Sequence, residues 1–141
     1  MEDSLVSGVK EREQPAVTVH VEPFEGMDGT LLMTWQSKID PLDVKTAFGA
    51  IDQALASADG PIYVVVDLLQ NPQFPLSDTM FSAVSCYAHP LLAEWLIVGG
   101  SRGARAIESF LSRVTGRQNV LWFDSMGAAL DHRRDVGQPE E

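Results

Sequence analysis

Asp67 is one residue whose type and place could do chemistry, because it closes the apolar run Ile62-Tyr-Val-Val-Val-Asp67. A carboxylate at a buried strand end has its pKa raised by desolvation, which suits general acid or base work. The same place also suits a structural task, accepting hydrogen bonds from turn amides, and that reading takes precedence. A second group is Gly-Gly-Ser-Arg-Gly at 99–103, which joins the apolar run Trp95-Leu-Ile-Val98 to the start of a helix. Amide N–H groups at a helix start favour an anion, and Arg102 would add a bidentate donor beside Gly100 and Ser101. The spacing matches neither the dinucleotide fingerprint nor the phosphate-binding loop, whose lysine is absent, so a tight turn is the plainer reading.

Other reactive side chains are scattered. Asp124 and Ser125 follow a strand and read as helix caps, as does Ser77 before a helical stretch. His20, His89 and His132 lie far apart, with no metal-ligand spacing. His132 and Asp135 are three apart and read as a solvated pair on a helix face. Cys86 is the single cysteine, which excludes an internal disulfide and a cysteine-rich metal site. It falls on the inner side of a predicted helix and reads as a buried, inert thiol. No cofactor motif is present. Phe74-Pro75 differs from these, because it sits in a polar, proline-bracketed loop where an exposed aromatic could anchor a partner.

The elements that must position these residues are legible from periodicity. Residues 1–15 read as a flexible tail and 136–141 as a second one, leaving a single domain over 16–135. Val17 to Val21 and Thr30 to Trp35 alternate and flank a Gly-Met-Asp-Gly turn, so they form a hairpin. Asp40-Pro41 starts a helix with apolar residues at 44, 47, 48, 51, 54, 55 and 58. Further strands are expected at 62–68, 94–98 and 119–123. Helices are expected from Ser77 to His89 with Met80, Phe81, Val84, Tyr87 and Ala88 inward, and over 102–115 with Ile107, Phe110, Leu111 and Val114 inward. Gly116 would end the latter. A last helix starts at Asp124-Ser125 and fades near Asp135. Trp35, Trp95 and Trp122 fall in strands and read as core.

Strands without polar alternation are buried on both faces, as in a parallel sheet covered by helices. The order therefore predicts an α/β domain: a single five-stranded mixed sheet, an N-terminal hairpin followed by parallel βα units, with four helices. Its ligand or partner edge is the carboxyl end of the strands, where Asp67, Ser77, 99–103 and Asp124 gather.

Composition sets the remaining bounds. The chain of 141 residues carries 10 Lys and Arg against 20 Asp and Glu, a net charge of −10 that opposes nucleic acid and anionic lipid. The imbalance is confined to residues 1–100, since 101–141 holds six charges of each sign. Neither a signal peptide nor a run able to span a bilayer is present, so a cytoplasmic protein is expected.

The element order, the Val-Val-Val-Asp67-Leu68 and Leu-Ile-Val98-Gly99 strands and the closing segment from Val120 to Ala129 resemble the STAS-like domains related to anti-sigma-factor antagonists. The likeness is greatest to an uncharacterised bacterial branch linked to the CRAL-TRIO lipid-binding fold. The resemblance implies a regulatory, non-enzymatic module without cofactors that recognises a protein partner. It also implies a helix-start serine whose phosphorylation switches binding, a place taken here by Ser77, although the family's glycine is missing. The alternative it implies is a carrier or sensor of a small lipophilic or anionic ligand near Met80 and the 99–103 turn.

Overall fold

The computed structural model describes residues 17–137. The expected N-terminal tail, and the C-terminal one beyond residue 137, lie outside the described residues. The elements run β1 (Val19–Pro23), β2 (Thr30–Trp35), α1 (Pro41–Ala56), β3 (Ile62–Asp67), α2 (Leu76–Ala88), β4 (Leu92–Val98), α3 (Arg102–Thr115), β5 (Val120–Phe123) and α4 (Met126–Gly137). Strand order in the single sheet follows chain order, with β1 antiparallel to β2 and every later pair parallel.

That order fixes the layers. Three successive crossovers step the same way, and right-handedness places α1, α2 and α3 on one face of the sheet. Alternation along β3 divides the core accordingly. Val64, Val66 and Leu68 pack with Val44, Phe48, Cys86 and Ile107 of those helices, whereas Val65 joins Leu96, Val98 and Ala129 under α4. Two ties hold α4 down. Arg133 lies 4.0 Å over the Tyr63 ring and donates to Thr30 Oγ1, and His132 pairs with Glu94 at 2.9 Å. His132 thus reaches across to β4, and the expected pairing with Asp135 does not form.

Local chemistry sets most helix ends. Asp40 caps α1, its Oδ1 accepting from Leu42 N at 2.9 Å with Pro41 at the first helical position. Ser101 and Ser125 accept from the amides of Ala104 and Ala128. Gly116 closes α3 at φ 74°, the left-handed conformation that glycine adopts without strain. Ser77 is a correction. The cap position of α2 belongs to Pro75, whose carbonyl accepts from Thr79 N at 2.9 Å, so Ser77 lies inside the first turn and caps nothing.

The inward face of α2 is a larger correction. Tyr87 is buried and Met80 and Val84 are partly buried against the core as expected, with Thr79, Ala83 and Cys86 completing the buried face, whereas Phe81 is 78 % exposed and Ala88 is exposed as well. The reason lies beneath the helix. Tyr87 stacks on the Trp95 ring with centroids 4.7 Å apart, and Thr79, Ala83 and Cys86 share that face of the helix, which leaves Phe81 on the opposite side. Val114, in the last turn of α3, is likewise exposed. Among the described residues, no helix is long and apolar enough to cross a membrane.

Candidate functional site

Parallel topology brings the carboxyl ends of β2 to β5 and the first turns of the helices to one edge of the domain. The 99–103 turn is its centre. Gly100 adopts φ 143°, and a Cβ there would stand 2.9 Å from the Trp122 ring, so only glycine fits. Ideal Cβ atoms at Gly99 and Gly103 would lie 3.5 Å from Leu69 Cδ2 and 3.6 Å from Phe74 Cδ2, which places the β3–α2 loop against this turn.

The polar groups of the edge are mostly engaged in the fold. Asp67 is half-buried, and its Oδ1 accepts from Leu69 N at 2.9 Å, closing the turn after β3. Ser101 is used as a cap, and Arg105 lies 4.2 Å over the Trp122 ring. Arg102, Ser77 and Asp124 point to solvent at the same edge. Asp43, also near it, accepts from Thr18 N at 2.8 Å and Thr18 Oγ1 at 2.7 Å; the backbone bond first and the hydroxyl second hold its pKa below the usual carboxylate value.

Phe74 departs from its expected exposure. The loop carrying it is held to the β2–α1 connection by Gln73 N donating to Ser37 O at 3.1 Å, and this turns the ring inward. It is half-buried against Trp35, with ring centroids 4.8 Å apart. From there aromatic contacts continue through Phe48 to Trp95, which stacks on Tyr87 at 4.7 Å. Burial pushes the Tyr87 hydroxyl and the Cys86 thiol far above their ordinary pKa values, with Asp52 at 3.2 Å adding to the effect on Cys86. The thiol is inert.

These rings line a partly open cavity of about 50 Å³ between the sheet and the helices that cover it. Trp35 Nε1, Trp95 Nε1 and Thr79 Oγ1 belong to its lining residues and are buried without a hydrogen-bond partner. Sequence reasoning placed both tryptophans in the core but gave no sign of their unpaired N–H groups, and it passed over Thr79. It also missed the surface made at this edge by Leu42, Leu69, Leu76 and Phe81, each at least 45 % exposed. Among the described residues, no three His, Cys, Asp or Glu side chains converge to hold a metal ion.

No protein-family model matches the chain, and no curated protein matches it. Its fold is similar to that of a solved structure, an uncharacterised DUF3478-family protein with a SpoIIAA-like fold from Shewanella loihica PV-4. The likeness has a TM-score of 0.58 and 15% identity, and covers 85% of this chain and 97% of that one. The chain therefore has a SpoIIAA-like, STAS-like fold.

Proposed function

We propose that the domain is a non-catalytic recognition module that binds a protein partner through the carboxyl edge of its sheet and the outer face of α2. Phe81 carries this reading, as a large aromatic 78 % exposed on a helix whose opposite face is packed. Leu69 and Leu76 extend the apolar surface toward the 99–103 turn, where Gly100, Ser101 and Arg102 form the rim. An apolar surface rimmed by polar groups is the usual form of a protein-binding site. Asp40, Asp43, Asp67, Asp78 and Asp124 outnumber Lys38, Arg102 and Arg105 along this edge, so the partner segment offers apolar and basic side chains. Phe74 supports the surface from beneath and does not anchor the partner directly.

Ser77 gives this surface a switch. Its exposed hydroxyl lies in the first turn of α2, where a phosphate would meet amide N–H groups and add negative charge beside the docking face. Asp67 is left with the turn it closes and has no catalytic part. A lipophilic carrier has less support, because about 50 Å³ is far below the several hundred that a lipid-sized ligand fills.

The test uses two exposed apolar residues at opposite ends, Phe81 and Val114. Tagged wild-type protein, Phe81→Arg and Val114→Arg are each purified from the native host. The expected result is a stoichiometric partner kept by wild type and Val114→Arg and lost by Phe81→Arg. Equal recovery by all three overturns the reading.

A further inference from the structure

The two lateral edges of the sheet are finished differently. β1 ends at Pro23 and exposes His20 and Glu22, which lie 3.6 Å apart. Proline and charge are means by which a sheet keeps an edge from pairing with another chain. β5, at the other edge, has neither. Its residues Val120, Leu121, Trp122 and Phe123 are all apolar and half-buried, and no bulge interrupts their register with β4. Among the described residues no strand lies beyond it.

Hydrogen bonds on the β4 side fix which backbone groups of β5 are free. Asn119 O and Phe123 O accept from Trp95 N and Gly99 N, each at 2.8 Å. Alternate residues of a parallel strand bond to the same neighbour, so Leu121 also faces β4 while Val120 and Trp122 direct N–H and C=O outward. Those two residues suit an antiparallel copy of the same strand. With Leu121 opposite its own counterpart, each Val120 stands opposite a Trp122 and the pair exchanges both bonds. Beside them an open groove of about 460 Å³ between β5 and α3 carries Glu108 and Arg113. A two-fold axis brings the Glu108 end of one groove toward the Arg113 end of the other.

Charge selects the occupant. The excess of acid lies in residues 1–100, whereas 101–141, which supplies α3, β5 and α4, holds six charges of each sign. Two copies thus meet here without the repulsion that their net charge of −10 imposes elsewhere. A strongly acidic or basic peptide finds no net charge to answer it. We propose that two copies of this chain pair antiparallel through β5, joining their sheets into one. The arrangement is isologous and closed, so it stops at a dimer and leaves only the two protected β1 edges. α2 takes no part in it, and the docking face stays open.

Sedimentation velocity of the whole protein, from micromolar to millimolar concentration, reads the assembly directly. The expected result is a monomer–dimer equilibrium, with amide exchange at Val120 and Trp122 that slows as the dimer fills. Val120→Pro removes one outward N–H at the first residue of an edge strand, where proline is accommodated, and should weaken the dimer about tenfold. Leu121→Lys keeps every backbone group but sets like charges opposite each other, and should weaken it at least as much. Glu22→Ala, on the β1 edge, should leave it unchanged. A monomer at every concentration overturns the proposal. So does a dimer that survives both β5 variants, or one whose Val120 and Trp122 amides exchange as fast as in the monomer.

Discussion

α2 and α3 are neighbours on one face of the sheet, yet their outer surfaces are opposites. α3 buries Ala104, Ile107 and Leu111 and turns Arg102, Arg105 and Arg113 to solvent. A serine caps its start and a left-handed glycine ends it. α2 buries a stripe of similar width, but it starts without a side-chain cap and exposes Leu76 and Phe81. Charge on the outside of α3 completes a solvated helix. Apolar groups on the outside of α2 leave a surface that folding does not use, and a partner is the simplest account of it.

The largest effect should come from the packed side of this comparison. Leu111→Ala removes a fully buried side chain of α3 and should cost about 2–5 kcal/mol in denaturant unfolding. A loss under about 1 kcal/mol would mean that the layer beneath the helices is loosely packed. Next is the turn that leads into α3. Gly100→Ala drives a methyl to 2.9 Å from Trp122 at an unfavourable φ, and a cost of about 1–3 kcal/mol is expected. An unchanged melting temperature would show that Trp122 moves freely and that the edge is softer than described.

A smaller effect concerns the acid limb of stability. The Thr18 bonds lower the pKa of Asp43 in the folded state, so the unfolded chain binds its proton more readily. This contribution is present above the ordinary value near 3.8 and is lost as pH falls through the lower folded-state value. Thermal melts of Asp43→Asn should therefore lack this part of the acid-induced decline seen in wild type below about pH 4. Parallel pH profiles for the two proteins would refute that link between β1 and α1. The smallest effect is the most telling for α2. Phe81→Ser should change stability by no more than about 0.5 kcal/mol, because the ring is already in water. A loss of several kcal/mol would make Phe81 a core residue and remove the contrast.

Much of this arrangement was legible in the chain, for reasons specific to particular residues. Asp40-Pro41 and Gly116 mark helix ends by local backbone chemistry, and the unbroken apolar runs ending at Asp67 and Val98 have no stable place except between two layers. The face of α2 was legible only in part: Cys86 and Tyr87 are buried and Met80 and Val84 pack against the core as their spacing predicts, whereas Phe81 and Ala88 share that apolar spacing yet face outward. Phe74 was misjudged similarly, since its inward turn depends on a loop-to-loop bond between Gln73 and Ser37. The strand-end edge was predicted as a whole, but its most exposed feature lies one helix turn away from the residues first singled out.

Site-specific photo-crosslinking in living host cells compares the two helices most directly. A photoreactive phenylalanine analogue is placed at position 81 on α2 and, separately, at the exposed position 113 near the far end of α3. A discrete adduct of one other protein at position 81, absent at 113 and lost when Leu76 is also changed to Asp, is the expected result. Adducts with another protein at both positions alike, or at 113 alone, would contradict a docking surface on α2.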